Sequence, residues 1–316
     1  MSGWGDDGTS ADHDVIVVGG GPAGLSAAIW LGRYRRNALV LDGGRYRNRG
    51  VEQVHGVLAN DPAQPQELLQ RGREELARYA SVSVRSGQVS AVRKDEQDLF
   101  RVELDGTGGV VLAHRVVLAT GVRDVFPQVE GFFEHYGADV FRCPTCDEFD
   151  ARGECVAVFG WAQHVAGFAM ELLDWAAEVR VITNGERFEG GDEQRAALAG
   201  RGVEIIEDRV VELVGPRGGL SGVRLASGRQ TECTMGFFSI AHEPETSLAR
   251  QLGCATDDEG YVSVDEHQQT SVAGVFAAGD VTPGMQLVNV AVGEGTVAGV
   301  SCALSLPVAN KPAAVT

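Results

Sequence analysis

The sequence predicts an α/β fold built on two strand–helix–strand units, the first completed by a distant C-terminal stretch. Three observations predict it. A β-branched run at 15–18 ends in glycines, then passes through an Ala/Leu-rich helical stretch to a second apolar run ending at Asp42. The same pattern returns over 155–184. Near the C-terminus, "GVFAAGD" (274–280) reads as a short strand and "VTPGMQLVNVAVGEGTVAGVSCALSL" as the helix after it. Short apolar strands alternating with helical stretches signal parallel α/β architecture.

At 316 residues the chain has room for about two domains. Hydrophobic residues make up 44% and charged residues 22%, ordinary for a globular protein with a sizeable core. A net charge of −17 repels polyanions, which excludes nucleic acid and anionic membrane as main partners. The acidic, Gly-rich residues 1–12 lack an apolar signal region and read as a disordered tail. The first long apolar run is broken by glycines and is a poor membrane span. A cytoplasmic location is expected. Six cysteines are too few for a disulfide scaffold at this length.

Within the first unit, "GGGPAG" places Gly19, Gly21 and Gly24 in a G-x-G-x-x-G pattern, with Pro22 and Ala23 between the last two. The first glycine permits a tight turn, the second lets a pyrophosphate approach the backbone, and the third lets helix and strand pack closely. The helix start adds free N–H groups for phosphates. Asp42 lies where an acid should meet the ribose. The fold expected is two dinucleotide-binding, Rossmann-like domains of three-layer ββα type. The fingerprint does not choose between NAD and FAD.

"VVLATG" (116–121) and "GVFAAGD", taken with that fingerprint, resemble the FAD-binding segments of flavoproteins with two dinucleotide domains. The resemblance implies that Thr120, Gly121, Gly279 and Asp280 bind FAD, Asp280 at the ribityl–phosphate region. It also implies that a helix starting at Gln286, Leu287 and Val288 points its N-terminus at the flavin pyrimidine. A positive helix end there would stabilise an anionic reduced flavin. Alone, Asp280 would read as a helix cap or turn carboxylate. The expected domains are 13–120 with 246–316 for FAD, and 121–245 as a central domain resembling an NADPH domain.

That central domain departs from the pattern. Only Gly160 fills its fingerprint; Ala162 and Val165 hold the other glycine positions, and Trp161 sits in the turn. A tryptophan there would occupy volume a pyrophosphate needs. No basic pair follows the second strand to take a 2′-phosphate, although Arg187 is near. Efficient use of NADPH is not expected. The expected elements are strand 156–159, helix 163–177 and strand 179–183.

Between the two units lies Cys143-Pro-Thr-Cys146, followed by Asp147. A metal clip, a structural disulfide and a redox pair all use such spacing. Zinc needs about four ligands, and neither a second CxxC nor a spaced His pair accompanies this one. A redox pair fits better, since one CxxC thiolate is often acidified and exchanges through mixed disulfides. Asp147 could shuttle a proton to or from a thiol, or simply cap a helix.

The FAD fingerprint, "ATG", CPTCD, the second unit and "GVFAAGD" come in the order of low-molecular-weight thioredoxin reductases, and the chain resembles them over nearly its whole length after the tail. The resemblance implies FAD, a homodimer, and a Cys143–Cys146 disulfide exchanging electrons with the flavin. Cys146 would contact the flavin and Cys143 the substrate. "DGGRYRN", "HGVLAND", "GVRDVFPQVEGFFEHYG" and the degraded second fingerprint are closer to the dithiol oxidases that close disulfides in gliotoxin- and holomycin-type natural products. These imply a small-molecule dithiol as substrate and O2 as acceptor.

The competing readings are a reductase fed by NADPH or by ferredoxin, acting on thioredoxin, and a flavin-binding redox sensor without turnover. His55, in the loop after the ribose strand, and His135, before the CxxC, are candidates for a place near flavin or substrate; each also reads as a packed or turn histidine. His164 reads as structural. Cys155, Cys233, Cys254 and Cys302 read as small buried hydrophobes. Residues 66–80 read as a solvated surface helix, and 108–121 as hairpin-like strands.

Overall fold

The computed structural model describes residues 11–106 and 108–307. The chain divides into two compact units, one from the described residues up to Arg47 with Gln66–Arg123 and Glu243 onward, the other from Asn48–Pro65 with Asp124–His242. The expected tail lies outside the described residues except for Ala11 and Asp12; the Asp12 amide donates to Leu112 O.

In the first unit, β1 (His13–Val18) leads into α1 (Pro22–Arg33) and β2 (Ala38–Asp42). Then come α2 (Pro65–Leu76), β3 (Val82–Ser86), β4 (Val89–Lys94), β5 (Phe100–Leu104) and β6 (Val110–Leu118). The sheet runs β3-β2-β1-β6-β5-β4. The alternation in β1 shows why: Val15 and Val17 face one buried cluster, Ile16 and Val18 the opposite one. Each such fully buried side chain contributes about 1.5–3 kcal/mol.

The stretch read as hairpin-like is one nine-residue strand, β6. Its N-terminal half pairs antiparallel with β5 and its C-terminal half parallel with β1, so the hairpin turn lies before it, with Leu104 N donating to Gly109 O. Helix α2 is shorter than expected and not wholly solvated, since Leu69 and Leu76 enter the core.

The chain passes to the second unit through β7 (Val122–Val125). There follow α3 (Phe132–His135), β8 (Val140–Phe141), α4 (Pro144–Asp147), a 3-10 turn (Glu148–Ala151) and β9 (Cys155–Phe159). Next are α5 (Val165–Leu172), β10 (Glu178–Ile182), α6 (Asp192–Gly200), β11 (Glu204–Ile206), β12 (Val210–Val214), β13 (Gly222–Leu225), β14 (Gln230–Thr231) and β15 (Met235–Phe238). The main sheet, β11-β10-β9-β15-β8, is parallel throughout.

Helix α5 is half the length expected. Beyond Leu172 the amides tighten: Trp175 N and Ala176 N both donate to Leu172 O, which closes the helix in a turn. The segment 48–65, expected in the first domain, clusters with this unit. Val51 packs on its core, Glu52 N donates to Gly137 O, and Glu52 pairs with Arg217 at 2.8 Å. Gly137 must be glycine, because at φ +80° a Cβ would lie 2.2 Å from Gly50 O.

The return passes through β16 (Ala241–Pro244), which pairs with β7, to α7 (Ser247–Gln251), β17 (Val275–Ala277) and α8 (Val288–Leu304) in the first unit. β17 joins the first sheet beside β6. Helix α8 crosses α1 at very short range: Cβ atoms at Gly295 and Gly299 would lie 2.2 and 2.5 Å from Ala23 O and Ala27 O. Ser26 Oγ donates across the crossing to Val292 O at 2.8 Å. This contact anchors the distant C-terminal stretch to the first βαβ unit. Among the described residues no helix is long and apolar enough to cross a membrane.

Candidate active site

In the first unit, Gly19 sits at φ +116°, and a Cβ there would lie 2.1 Å from Ala119 O. A Cβ at Gly24 would lie 1.9 Å from Gly19 O. Both glycines are demanded by backbone packing. A Cβ at Gly21 meets nothing within 4 Å, so that side of the turn is open. Gly21 caps α1, Pro22 occupies its first turn, and Ala23 is buried against Gly279. The cradle the motif promises is therefore formed: a tight turn, an open approach and a helix start with free amides.

Asp42 ends β2 as expected, but its carboxylate already has donors. Oδ1 accepts from Gly44 N at 2.9 Å; Oδ2 accepts from Tyr46 Oη at 2.5 Å and Arg73 Nη2 at 3.0 Å. Burial, then Asp42, pushes the Tyr46 hydroxyl up to about 12. Gly20, not singled out in the sequence, leaves room for Asp42, since a Cβ would lie 2.3 Å from its Oδ2.

Thr120 Oγ1 donates to Glu245 O at 2.7 Å, and Gly121 takes φ +71°. Gly279, at φ +82°, donates its amide to Glu294 Oε2 at 2.7 Å, which also accepts from Thr282 Oγ1. Arg47 Nη1 donates to Asp280 Oδ2 at 2.8 Å and Gln286 Oε1 at 2.5 Å, and Gln286 Nε2 donates to Tyr261 Oη. Leu287 caps α8, which starts at Val288. Arg47, Tyr46, Arg73, Tyr261 and Glu294 were missed by sequence reasoning. The signal for Arg47 was present in "GRYRNRG", a basic run directly after the strand that ends at Asp42. These groups fit FAD: amides and an open turn for pyrophosphate, carboxylates for hydroxyls, and a helix start for an electron-rich ring edge.

In the second unit Cys143 and Cys146 are joined as a disulfide, with Cα atoms 5.3 Å apart. Cys143 precedes α4, and its carbonyl accepts from Cys146 N and Asp147 N. Both sulfur residues are half-buried, while Asp147 is only 7% exposed. Burial, then the charge of Asp150, pushes the Asp147 carboxyl up to about 7; Arg142 opposes this. Asp147, Asp150 and His55 line one cavity of ≈ 530 Å³. His55 Nε2 lies 3.3 Å from Asp150 Oδ2, and Nδ1 lies 3.3 Å from Asp61 Oδ1. Among the described residues no group of three or more His, Cys, Asp or Glu is placed to hold a metal ion.

His135 is fully buried, its Nδ1 2.7 Å from Asp139 Oδ2. Tyr136 stacks on Phe132 within an aromatic core. His164 is exposed, with Nε2 2.8 Å from Ser239 Oγ. Cys233, Cys254 and Cys302 are buried, but Cys155 is half-buried against the Arg180 guanidinium. At the second fingerprint, β9 ends at Phe159 and α5 starts only at Val165. The turn between is tied back: Trp161 O accepts from Glu189 N at 2.8 Å, and a Cβ at Gly160 would lie 2.7 Å from Ser239 O. Arg187 is exposed.

The sequence matches the pyridine nucleotide-disulphide oxidoreductase family over residues 13–295. It is 32% identical over 305 residues to a thioredoxin reductase, sirT, of Leptosphaeria maculans, covering 90% of this chain and 92% of that one. It is 30% identical to thioredoxin reductase tcpT of Claviceps purpurea, covering 92% and 93%. Among solved structures, HlmI superposes with TM-score 0.87 at 32% identity, covering 95% of this chain and 94% of that one. An oxidoreductase from Agrobacterium tumefaciens superposes with TM-score 0.83 at 35% identity, covering 93% and 98%. The chain belongs to the pyridine nucleotide-disulphide oxidoreductase family, as a thioredoxin reductase-like, FAD-binding disulfide oxidoreductase.

Proposed function

We propose that the protein is a cytoplasmic dithiol oxidase that closes a disulfide in a small molecule through Cys143 and Cys146, with O2 as final acceptor and hydrogen peroxide as product. The observation that carries this direction is the second fingerprint: one glycine, a tryptophan, and a turn tied to Glu189 where a nicotinamide nucleotide would need an open phosphate loop. An enzyme without that loop lacks a pyridine-nucleotide electron source and needs an electron sink.

A substrate thiol loses its proton to Asp147 and its thiolate attacks Cys143 Sγ. The Cys143–Cys146 bond breaks, and Cys146 leaves as thiolate. Once Asp147 has passed that proton on, it takes the proton of the second substrate thiol, whose thiolate attacks the substrate sulfur of the mixed disulfide, forming the product disulfide and releasing Cys143 as thiolate. A carboxyl poised near 7 suits this role, because both its protonation states are populated at neutral pH. FAD, when bound, supplies the two-electron acceptor that reoxidises the cysteine pair and passes the electrons to O2. Gly19, Gly21, Pro22, Ala23, Gly24, Asp42, Thr120, Gly121, Gly279, Asp280 and the start of α8 are proposed to hold it. A homodimer belongs to this reading, and light scattering of the holoenzyme tests it.

The second reading, a disulfide reductase, is favoured by the names of the relatives above. One experiment separates the two: the yellow holoenzyme is mixed with NADPH under argon, and separately with a small dithiol, and the flavin band is followed. Bleaching by the dithiol, recovery in air and inertness to NADPH are expected. Rapid bleaching by micromolar NADPH would establish the reductase instead.

A further inference from the structure

Asp147 must be reset after each proton it takes, yet it is buried, and its own side chain has little path to water. The cavity it lines offers one. Asp150 and His55 line the same space, and a polar cavity of ≈ 530 Å³ has room for several waters. His55 bridges two carboxylates, with Nε2 on Asp150 and Nδ1 on Asp61, both at 3.3 Å. Asp150 and Asp61 have side chains 52% and 53% exposed, so either end opens to solvent.

We propose that His55, held between Asp150 and Asp61, is a proton relay that exchanges the proton of Asp147 with solvent. The inference rests on the functional reading above, in which Asp147 accepts the substrate thiol proton. An imidazole can take a proton on one ring nitrogen and release one from the other, and both ring nitrogens of His55 have a carboxylate partner. The other charged groups around the cavity are already engaged. Glu52 pairs with Arg217, Asp139 with His135, and Glu154 accepts from Thr234 Oγ1. Arg142, whose charge opposes the rise of Asp147, lies 3.3 Å from Asp124. His55 is thus the one histidine that joins this cavity to exposed carboxylates among the described residues. The protons that leave with the thiols are returned from solvent when O2 becomes hydrogen peroxide, so the overall reaction stays proton-neutral.

The segment carrying His55 belongs to the second unit for the packing reasons given above. A loop read as a turn in sequence is thereby part of the redox unit, and its placement gains a chemical purpose.

The test follows single-turnover reduction of the holoenzyme by dithiothreitol under argon, by stopped flow between pH 6 and 9. Wild type, His55→Gln, His55→Ala and Asp61→Asn are compared, each checked for FAD content and circular dichroism. His55→Gln should slow reduction about tenfold and change the pH profile, a smaller effect than removing a direct acid–base group. Added imidazole should restore His55→Ala in a saturable way, which a merely structural histidine would not allow. Asp61→Asn covers the case in which the His55 variants fail to fold, and should slow reduction with a changed pH profile. Folded variants within about twofold of wild type at every pH, or a slow His55→Ala that imidazole leaves slow, overturn the relay alone. A wild type inert to dithiothreitol overturns the functional reading and the relay with it.

Discussion

Arg47 Nη1 lies 2.8 Å from Asp280 Oδ2, joining residues 233 positions apart. The pair is largely buried, with side chains 13% and 20% exposed. Arg47→Leu leaves the Asp280 carboxylate without this donor. The expected result is loss of about 1.5–3 kcal/mol in the apoprotein, the range for a hydrogen bond to a charged group. Urea unfolding of apoprotein measures it, and Arg47→Lys should recover part of the loss.

The two glycines of the fingerprint should fail differently. Gly24→Ala puts a methyl 1.9 Å from Gly19 O and should destabilise the fold by about 3 kcal/mol, the upper end of overpacking. Gly21→Val meets no protein atom within 4 Å of its Cβ, so the fold should persist while FAD is lost. Flavin content against melting temperature distinguishes the two. A stable Gly21→Val that purifies with full flavin would contradict the assignment of this turn to the pyrophosphate.

Cys143→Ser and Cys146→Ser should each retain FAD and lose flavin bleaching by a dithiol. Free-thiol titration should show two fewer reactive thiols released on reduction. Continued dithiol turnover in Cys143→Ser would show that this pair is not the entry point.

Asp147→Asn should slow dithiol oxidation by about 10²-fold, the low end for loss of a positioned acid–base group. It should also erase the limb of the pH–rate profile near 7. Its effect on stability has the opposite sign. Because the folded pKa is raised from 3.8 to about 7, the folded state holds this proton more tightly than the unfolded chain does. That stability is present in full below about pH 4 and is lost as pH rises to about 7. The wild type therefore carries a buried ionised carboxylate at pH 8, at a cost of about 4 kcal/mol by the shift alone. Asp147→Asn should melt higher than wild type at pH 8, with the advantage gone near pH 4.

The glycine turn after β1 was legible because its causes are local. Gly19, Gly21 and Gly24 act within a few residues of one another, and period-two alternation in β1 assigns each side chain to a face of the sheet. The Cys143–Cys146 spacing, and Asp147 beside it, are likewise written in six consecutive residues from Arg142. Helix lengths were read less well, since α5 ends in a hydrogen-bonded turn at Leu172 that the apolar spacing of the segment does not reveal.

The sequence by itself determined two βαβ units, their glycine turns and the close pairing of Cys143 and Cys146, because chain neighbours and short periodicities decide those features. Only the tertiary structure decided that 48–65 leaves the first unit, that Arg47 meets Asp280, that His135 is sealed in the core, and that Asp150, His55 and Asp61 gather near Asp147. Those relations depend on which side chains the fold brings within hydrogen-bonding distance and which it shields from water. Neither quantity is carried by the spacing of residues along the chain.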